Sequence, residues 1–342
     1  MQGVERGKAV SKTIKDIAQL AGVSYGTVSR VLNKQTGVNS KTKERVQKVI
    51  DEVGYRPNAI ARSLVKKQSN TIALMVPDIS HPFFGSMALA VDKEAYKRGF
   101  NTILCNTDYN LEIERKKMNF LLEKRVDGII IKPALESSCQ FSNFNIPTVL
   151  ISHSHEGETN YIDIENIAGG KIAGDHLLDC GYKKIAFIGG YEDAASTQLR
   201  LKGLRKAMEE RNISFDDGLV RLGAYSIQSG YTGMADILAK GNIPDSVFCA
   251  NDLIALGVLQ RADECGLKVP EQLGVVGFDD ILIASLPQIR LTTIRQPIDR
   301  MGVLATEMLI KTIHDGTDSY VQKITLRPEL KIRATTAPKK SD

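Results

Sequence analysis

From Thr71 onward, short runs of Val, Ile and Leu alternate with amphipathic stretches of helical period, and this alternation narrows the possible folds more than any other feature. The runs Thr71–Val76, Thr102–Leu104, Gly128–Ile131, Thr148–Ile151, Lys184–Ile188, Ser246–Phe248, Gly274–Val276 and Leu291–Ile294 read as strands. Their nearly continuous apolar character suits parallel strands covered on both faces. Gly85–Arg98, Glu112–Lys124, Gly169–Cys180 and Ile254–Cys265 read as helices between them. Strand and helix in alternation predict a doubly wound α/β body. At about 270 residues it exceeds a usual single core, so two lobes are expected.

In open parallel sheets the carboxyl ends of the strands face a crevice where ligands bind. The residues after these runs are polar or aromatic: Asp78, His81, Phe83 and Phe84, then Asn106 and Asp108, then Ser152, His153 and His155. Later come Gly189-Gly190, Asn251-Asp252 and Phe278-Asp279-Asp280. Hydrogen-bonding groups mixed with aromatic rings suit a hydroxyl-rich molecule such as a sugar. Polar loops also end many strands that bind nothing.

The first 69 residues are built differently. They hold 14 Lys/Arg against 5 Asp/Glu, whereas the other 273 hold 31 against 35. A basic head on a mildly acidic body places any polyanion contact on the head. Ile14, Ile17, Ala18 and Ala21 form one helical stripe, which Thr13 can cap with Asp16 as acidic partner and Gly22 can end. Ser24 can cap a second helix facing Val28, Val31 and Leu32 inward. A third, capped near Ser40 and stopped by Gly54, carries Val46, Val49, Ile50 and Val53. Two short helices across a glycine turn predict a helix-turn-helix. The outward residues Ser24, Tyr25, Gly26, Thr27, Ser29, Arg30 and Asn33 are suited to base edges and phosphates. A protein-binding three-helix bundle is the plainer alternative. The next segment, Tyr55 to Lys67, is too short for an independent helix and reads as a linker or as a helix that orders on binding.

Other classes find little support. The N-terminus shows no apolar secretory core, and no run of about 18 apolar residues exists, so a cytoplasmic protein is expected. Cys105, Cys139, Cys180, Cys249 and Cys265 are dispersed, as expected of reduced, buried thiols. No phosphate-loop, nucleophile-elbow, zinc-protease or dinucleotide motif occurs, so neither an enzyme nor a cofactor is expected. His153-Ser154-His155-Glu156 is read as a solvent-facing loop, and no metal is expected.

Thr13-Ile14-Lys15-Asp16-Ile17-Ala18, Gly22-Val23-Ser24, Thr27-Val28-Ser29-Arg30-Val31-Leu32-Asn33 and Tyr55-Arg56-Pro57-Asn58 resemble the DNA-binding head of the LacI/GalR family of regulators. The body resembles the type I periplasmic sugar-binding fold at Asp78-Ile79-Ser80-His81-Pro82-Phe83-Phe84, Arg125-Val126-Asp127-Gly128-Ile129, Asn251-Asp252-Leu253-Ile254-Ala255-Leu256-Gly257, Gly277-Phe278-Asp279-Asp280 and Leu291-Thr292-Thr293-Ile294-Arg295-Gln296-Pro297. The resemblance implies a homodimer on a palindromic operator, with Tyr25, Gly26 and Arg30 reading bases. It also implies a hinge helix from Asn58 to Val65, whose Leu64 wedges into the minor groove. The candidate DNA contacts are therefore Thr13, Ser24, Tyr25, Gly26, Thr27, Ser29, Arg30, Asn33, Asn58, Ala61, Arg62, Leu64 and Lys66.

The candidate effector contacts that the resemblance implies are His81, Phe83, Phe84, Ser152, His153, Arg200, Tyr225, Asn251, Asp279 and Gln296. Sugar-binding relatives often carry Asn where His81 stands and an Asp-Arg pair where Ser152-His153 stand, a departure that argues against ribose. A phosphorylated carrier protein as co-regulator is the alternative partner. The expected organisation is an extension at 1–12, the helix-turn-helix at 13–56, a hinge segment at 57–69 and a sensor at 70–336. Within the sensor, lobe 1 spans about 70–163 and 297–325, and lobe 2 about 164–294 and 326–336. Three crossings, near Ile162–Asn166, Thr293–Pro297 and Leu326–Glu329, would form a hinge whose closure controls the dimer.

Overall fold

The computed structural model describes residues 12–33, 35–55, 68–133, 145–151, 159–316 and 321–339. Asn58, Ala61, Arg62, Leu64, Lys66, Cys139, Ser152, His153 and the rest of the 153–156 loop lie outside the described residues. Contacts divide the chain between Ser69 and Asn70 into two compact units.

In the first unit, α1 (Ile14–Ala21), α2 (Tyr25–Leu32) and α3 (Ser40–Val53) close around Ile17, Ala18, Ala21, Val28, Val46 and Ile50. The caps fix the helix starts. Thr13 Oγ1 accepts from the Asp16 amide, and Asp16 accepts in return from the Thr13 amide at 2.7 Å. Gly22 takes the left-handed conformation, φ +60°, that ends α1 and turns the chain into α2. Asn39, one residue before the expected Ser40, caps α3 by accepting from the Thr42 amide.

The second unit holds two six-stranded sheets of matching order. In lobe 1, β1 (Thr71–Val76), β2 (Asn101–Asn106), β3 (Gly128–Ile131), β4 (Thr148–Ile151), β5 (Asn160–Ile164) and β11 (Lys323–Leu326) run β11-β5-β4-β3-β1-β2, all parallel. In lobe 2, β6 (Ile185–Gly189), β7 (Val220–Leu222), β8 (Ser246–Cys249), β9 (Gly274–Asp279), β10 (Thr292–Arg295) and β12 (Glu329–Lys331) run β12-β10-β9-β8-β6-β7. Only the pairing of β12 with β10 is antiparallel there. Both sheets follow the flavodoxin-like order, with a switch point beside their first strand. Helices α4 (Pro82–Lys97), α5 (Leu111–Glu123) and α10 (Ile298–Asp315) cover the first sheet; α6 (Asn166–Asp179), α7 (Ala195–Glu210), α8 (Ile227–Ala239) and α9 (Asp252–Glu264) cover the second. The chain passes between lobes after β5, after β10 and between β11 and β12.

Further expectations need correction, among them the start of α6, which is Asn166 and not Gly169. β2 is an edge strand and only partly covered, with Leu104 40% exposed, because no further strand pairs beyond it. Cys265, just after α9, is exposed, unlike Cys105, Cys180 and Cys249. Helix α4 starts at Pro82, not Gly85, because His81 serves as its N-cap and proline favours the first helical position.

Lobe 2 owes its density to two helix pairs that touch backbone to backbone. A Cβ on Gly203 of α7 would overlap the Ile167 carbonyl of α6, and one on Gly257 of α9 would overlap the Ile227 carbonyl of α8. Gly257→Ala should therefore cost about 1–3 kcal/mol through overpacking, read as a lowered urea midpoint. Gly85→Ala, where a Cβ meets open space, should instead stabilise by about 0.4–1 kcal/mol.

Candidate functional site

The strand ends of the two lobes enclose a cavity of about 380 Å³. Its wall includes all eight described residues that the sequence nominates: His81, Phe83, Phe84, Arg200, Tyr225, Asn251, Asp279 and Gln296. The sequence reading missed Tyr109, Lys132, Asp163, Asn166, Tyr191, Asp193, Ser196 and Met301, which line it too. Of these, only Asn166 carried a signal, the Glu165-Asn166 pair ahead of Gly169-Gly170.

Lobe 2 supplies the polar floor. Arg200, in the second turn of α7, is buried, and its guanidinium lies 3.6 Å over the Phe278 ring. Nε donates to Asn166 Oδ1 at 3.0 Å and Nη1 to the Ala250 carbonyl at 2.5 Å. Asp279 Oδ1 lies 4.0 Å from Nη1 and accepts from Gln296 Nε2 at 2.6 Å. Burial pushes the Asp279 carboxyl up, and the Arg200 charge pulls it back.

Asp279 and Asp280 both have positive φ, +112° and +60°, which an L-residue adopts only under constraint. Asp252, wholly buried at the start of α9, provides part of that constraint. Its Oδ2 accepts from the Ile281 amide at 2.8 Å and its Oδ1 from the Thr293 hydroxyl at 2.5 Å. Burial, with the nearby Asp279 charge, drives the Asp252 carboxyl well above the usual range.

Lobe 1 contributes the aromatic wall. Phe83 and Phe84 sit in the first turn of α4, their rings edge-to-face at 5.1 Å. His81 Nε2 lies 2.8 Å from Asn251 Nδ2 across the lobes. Asn251 Oδ1 accepts from the Ile254 amide as the cap of α9, so the Asn251 amino group faces the imidazole. The Phe83 amide points at the other ring nitrogen, Nδ1, at 3.2 Å. A neutral imidazole has one lone pair to offer these two donors, and an imidazolium has none. Burial holds the His81 pKa below the usual histidine range, against the pull of Asp279 and Asp78 and with the Arg200 charge. Among the described residues, no group of three His, Cys, Asp or Glu side chains is placed to hold a metal ion.

In the first unit, the polar edge of α2 divides in two. Ser24 Oγ accepts from the Thr27 amide and lies 2.9 Å from its hydroxyl. Asn33 Nδ2 donates to the Ser29 carbonyl, and Thr13 is engaged with Asp16. Ser24, Thr27, Ser29, Asn33 and Thr13 thus shape the helix ends. Tyr25 and Arg30 stand exposed; Gly26 follows Tyr25 and lies one turn before Arg30.

The family model described as bacterial regulatory proteins, lacI family, matches residues 13–58, and a periplasmic-binding-protein-like domain model matches 174–336. The chain is 37% identical to the HTH-type transcriptional regulator DegA of Bacillus subtilis, over 95% of this chain and 98% of that one. It is 34% identical to the ribose operon repressor of Escherichia coli, over 94% and 99%. A crystal structure of the lac repressor dimer bound to operator and an anti-inducer superposes with a TM-score of 0.86 at 28% identity, covering 95% and 99%.

The His81 geometry fixes a pH response. The unfolded chain protonates this residue near pH 6.5 and the folded one only at lower pH, so stability falls as pH drops below about 6.5. Relative to His81→Gln, the wild type should lose stability from pH 7.5 to about 5.5, as read by urea titration at each pH.

Proposed function

The chain belongs to the LacI family of bacterial regulatory proteins, and on that premise we propose that it represses carbohydrate-utilisation genes in the cytoplasm, as a homodimer whose operator grip is set by a sugar or sugar-derived effector. It is a DNA-binding transcription regulator and not an enzyme. Among the described residues no helix is long and apolar enough to cross a membrane.

The observation that carries the effector reading is the pairing of Arg200 with Asp279 opposite Phe83 and Phe84. A fixed donor beside a fixed acceptor suits neighbouring hydroxyls, and the rings offer an apolar face to the flat side of a sugar. The relative that represses the ribose operon supports a sugar as the class. On the head, Tyr25 and Arg30 are exposed and take no part in the capping bonds, and with Gly26 allowing close approach they form the base-reading set. Ser24, Thr27, Ser29, Asn33 and Thr13 contribute by holding helix ends toward phosphates. Asn58, Ala61, Arg62, Leu64 and Lys66 are assigned to the minor-groove segment on the family pattern alone.

The head assignment is checked by genome-wide footprinting, followed by quantitative binding to the strongest site found. Arg30→Ala should cost about 1–3 kcal/mol of specific binding and relax preference at one base pair in each half-site. Uniform weakening on all sequences would make Arg30 a phosphate contact instead. For the cleft, a panel of pentoses and hexoses should raise the melting temperature of the wild type. Arg200→Ala and Asp279→Asn should lose that shift while still binding operator; a variant that responds normally removes its residue from the site.

A further inference from the structure

The three interlobe crossings and a group of three tyrosines occupy opposite edges of the two sheets. The crossings leave from β5, β10 and β11, at the β11 and β12 edges. The far edges are β2 and β7. Tyr109 follows the end of β2 by three residues, Tyr225 follows the end of β7 by three, and Tyr191 follows the end of β6 by two. Tyr109, from lobe 1, lies 4.9 Å from the Tyr191 ring and 6.4 Å from the Tyr225 ring, stacked on the latter at 27°. Tyr191 and Tyr225 meet edge-to-face at 5.9 Å. An aromatic contact thus bridges the lobes at the edge remote from the hinge, where opening would move them apart most.

Each half of the contact is held. On lobe 2, the Tyr225 hydroxyl lies 2.8 Å from both Ser196 Oγ and Thr197 Oγ1. Its ring lies on Gly190 so closely that a Cβ there would overlap it. On lobe 1, Asp108 and Tyr109 are both left-handed, φ +54° and +49°, a rare pair of consecutive L-residues that aims the Tyr109 ring at its partners. All three rings line the cavity.

We propose that Tyr109, closing on Tyr191 and Tyr225, is a specificity-determining gate that admits a single-ring effector and turns away a two-ring one. The cavity volume of about 380 Å³ lies near the bottom of the range for small-molecule sites, a size that suits one sugar ring better than two. An effector with a second ring has to project through the stacked tyrosines and forfeit their contact. The size limit rests on the sugar-cleft reading above, whereas the gate itself stands on geometry.

The chain has no tryptophan. Tyr109→Trp in the full-length protein therefore makes residue 109 the sole emitter of its kind. Acrylamide should quench it several-fold less than in the same protein carrying Tyr191→Ala and Tyr225→Ala. Equal quenching in the two backgrounds overturns the gate. Calorimetry with D-ribose, D-glucose and cellobiose tests the size limit. The wild type and Tyr109→Phe should prefer the single-ring sugars. Tyr109→Ala should raise the affinity of cellobiose relative to them by about tenfold. Wild-type affinity for cellobiose equal to that for the single-ring sugars, or an unchanged ratio in Tyr109→Ala, overturns the specificity role. Absence of binding by all three sugars, with the indole of Tyr109→Trp shielded from acrylamide, overturns the sugar reading of the cleft and supports the gate.

Discussion

One buried guanidinium organises the second lobe. Arg200 reaches from α7 to Asn166 at the start of α6, to the carbonyl of Ala250 just beyond β8, and across the ring of Phe278 in β9. A charge so buried is tolerable only when its donors are met and a counter-charge stands near, and Asp279 at 4.0 Å is that counter-charge. The same requirement explains why the strand end bearing Asp279 takes a costly backbone shape and why Asp252 braces it from behind. The polar floor of the cleft is therefore one cooperative unit, poised for a ligand before any ligand arrives.

Much of this was legible in the sequence because the lobes obey strong periodicities. β1, β3 and β4 were readable to the residue, since each is an uninterrupted apolar run bounded by polar residues. β7, β11 and β12 were not: Val-Arg-Leu, Lys-Ile-Thr-Leu and Glu-Leu-Lys are short, partly charged edge strands whose pairing comes from tertiary context. β5 was missed because Asn160, Tyr161 and Asp163 interrupt its apolar pattern. The start of α4 was misplaced because its cap is an imidazole instead of the usual hydroxyl or carboxamide.

The cleft divides along the same line. Residues on the motifs that carry the family resemblance, such as Asn251, Asp279 and Gln296, could be nominated through it. Tyr109 and Tyr191 could not. They sit in loops where no period operates, and they acquire meaning only when two sheets of identical strand order face each other. Lys132 and Asp163 escaped notice for a related reason, being polar residues at or beside apolar strands with nothing local to mark them. In the head, the capping pattern made all three helices legible, and the structure then showed which outward polar groups those caps consume.

The glycine-seated helix pairs of lobe 2 carry a mechanical consequence. Where α6 meets α7 and α8 meets α9, main chain rests on main chain at the glycines, which leaves each pair little room to slide. Such a body has little compliance and acts as a lever arm rather than a spring. Lobe 2 would then turn about the three strand crossings as one block, with the tyrosine edge at the end of the longest arm.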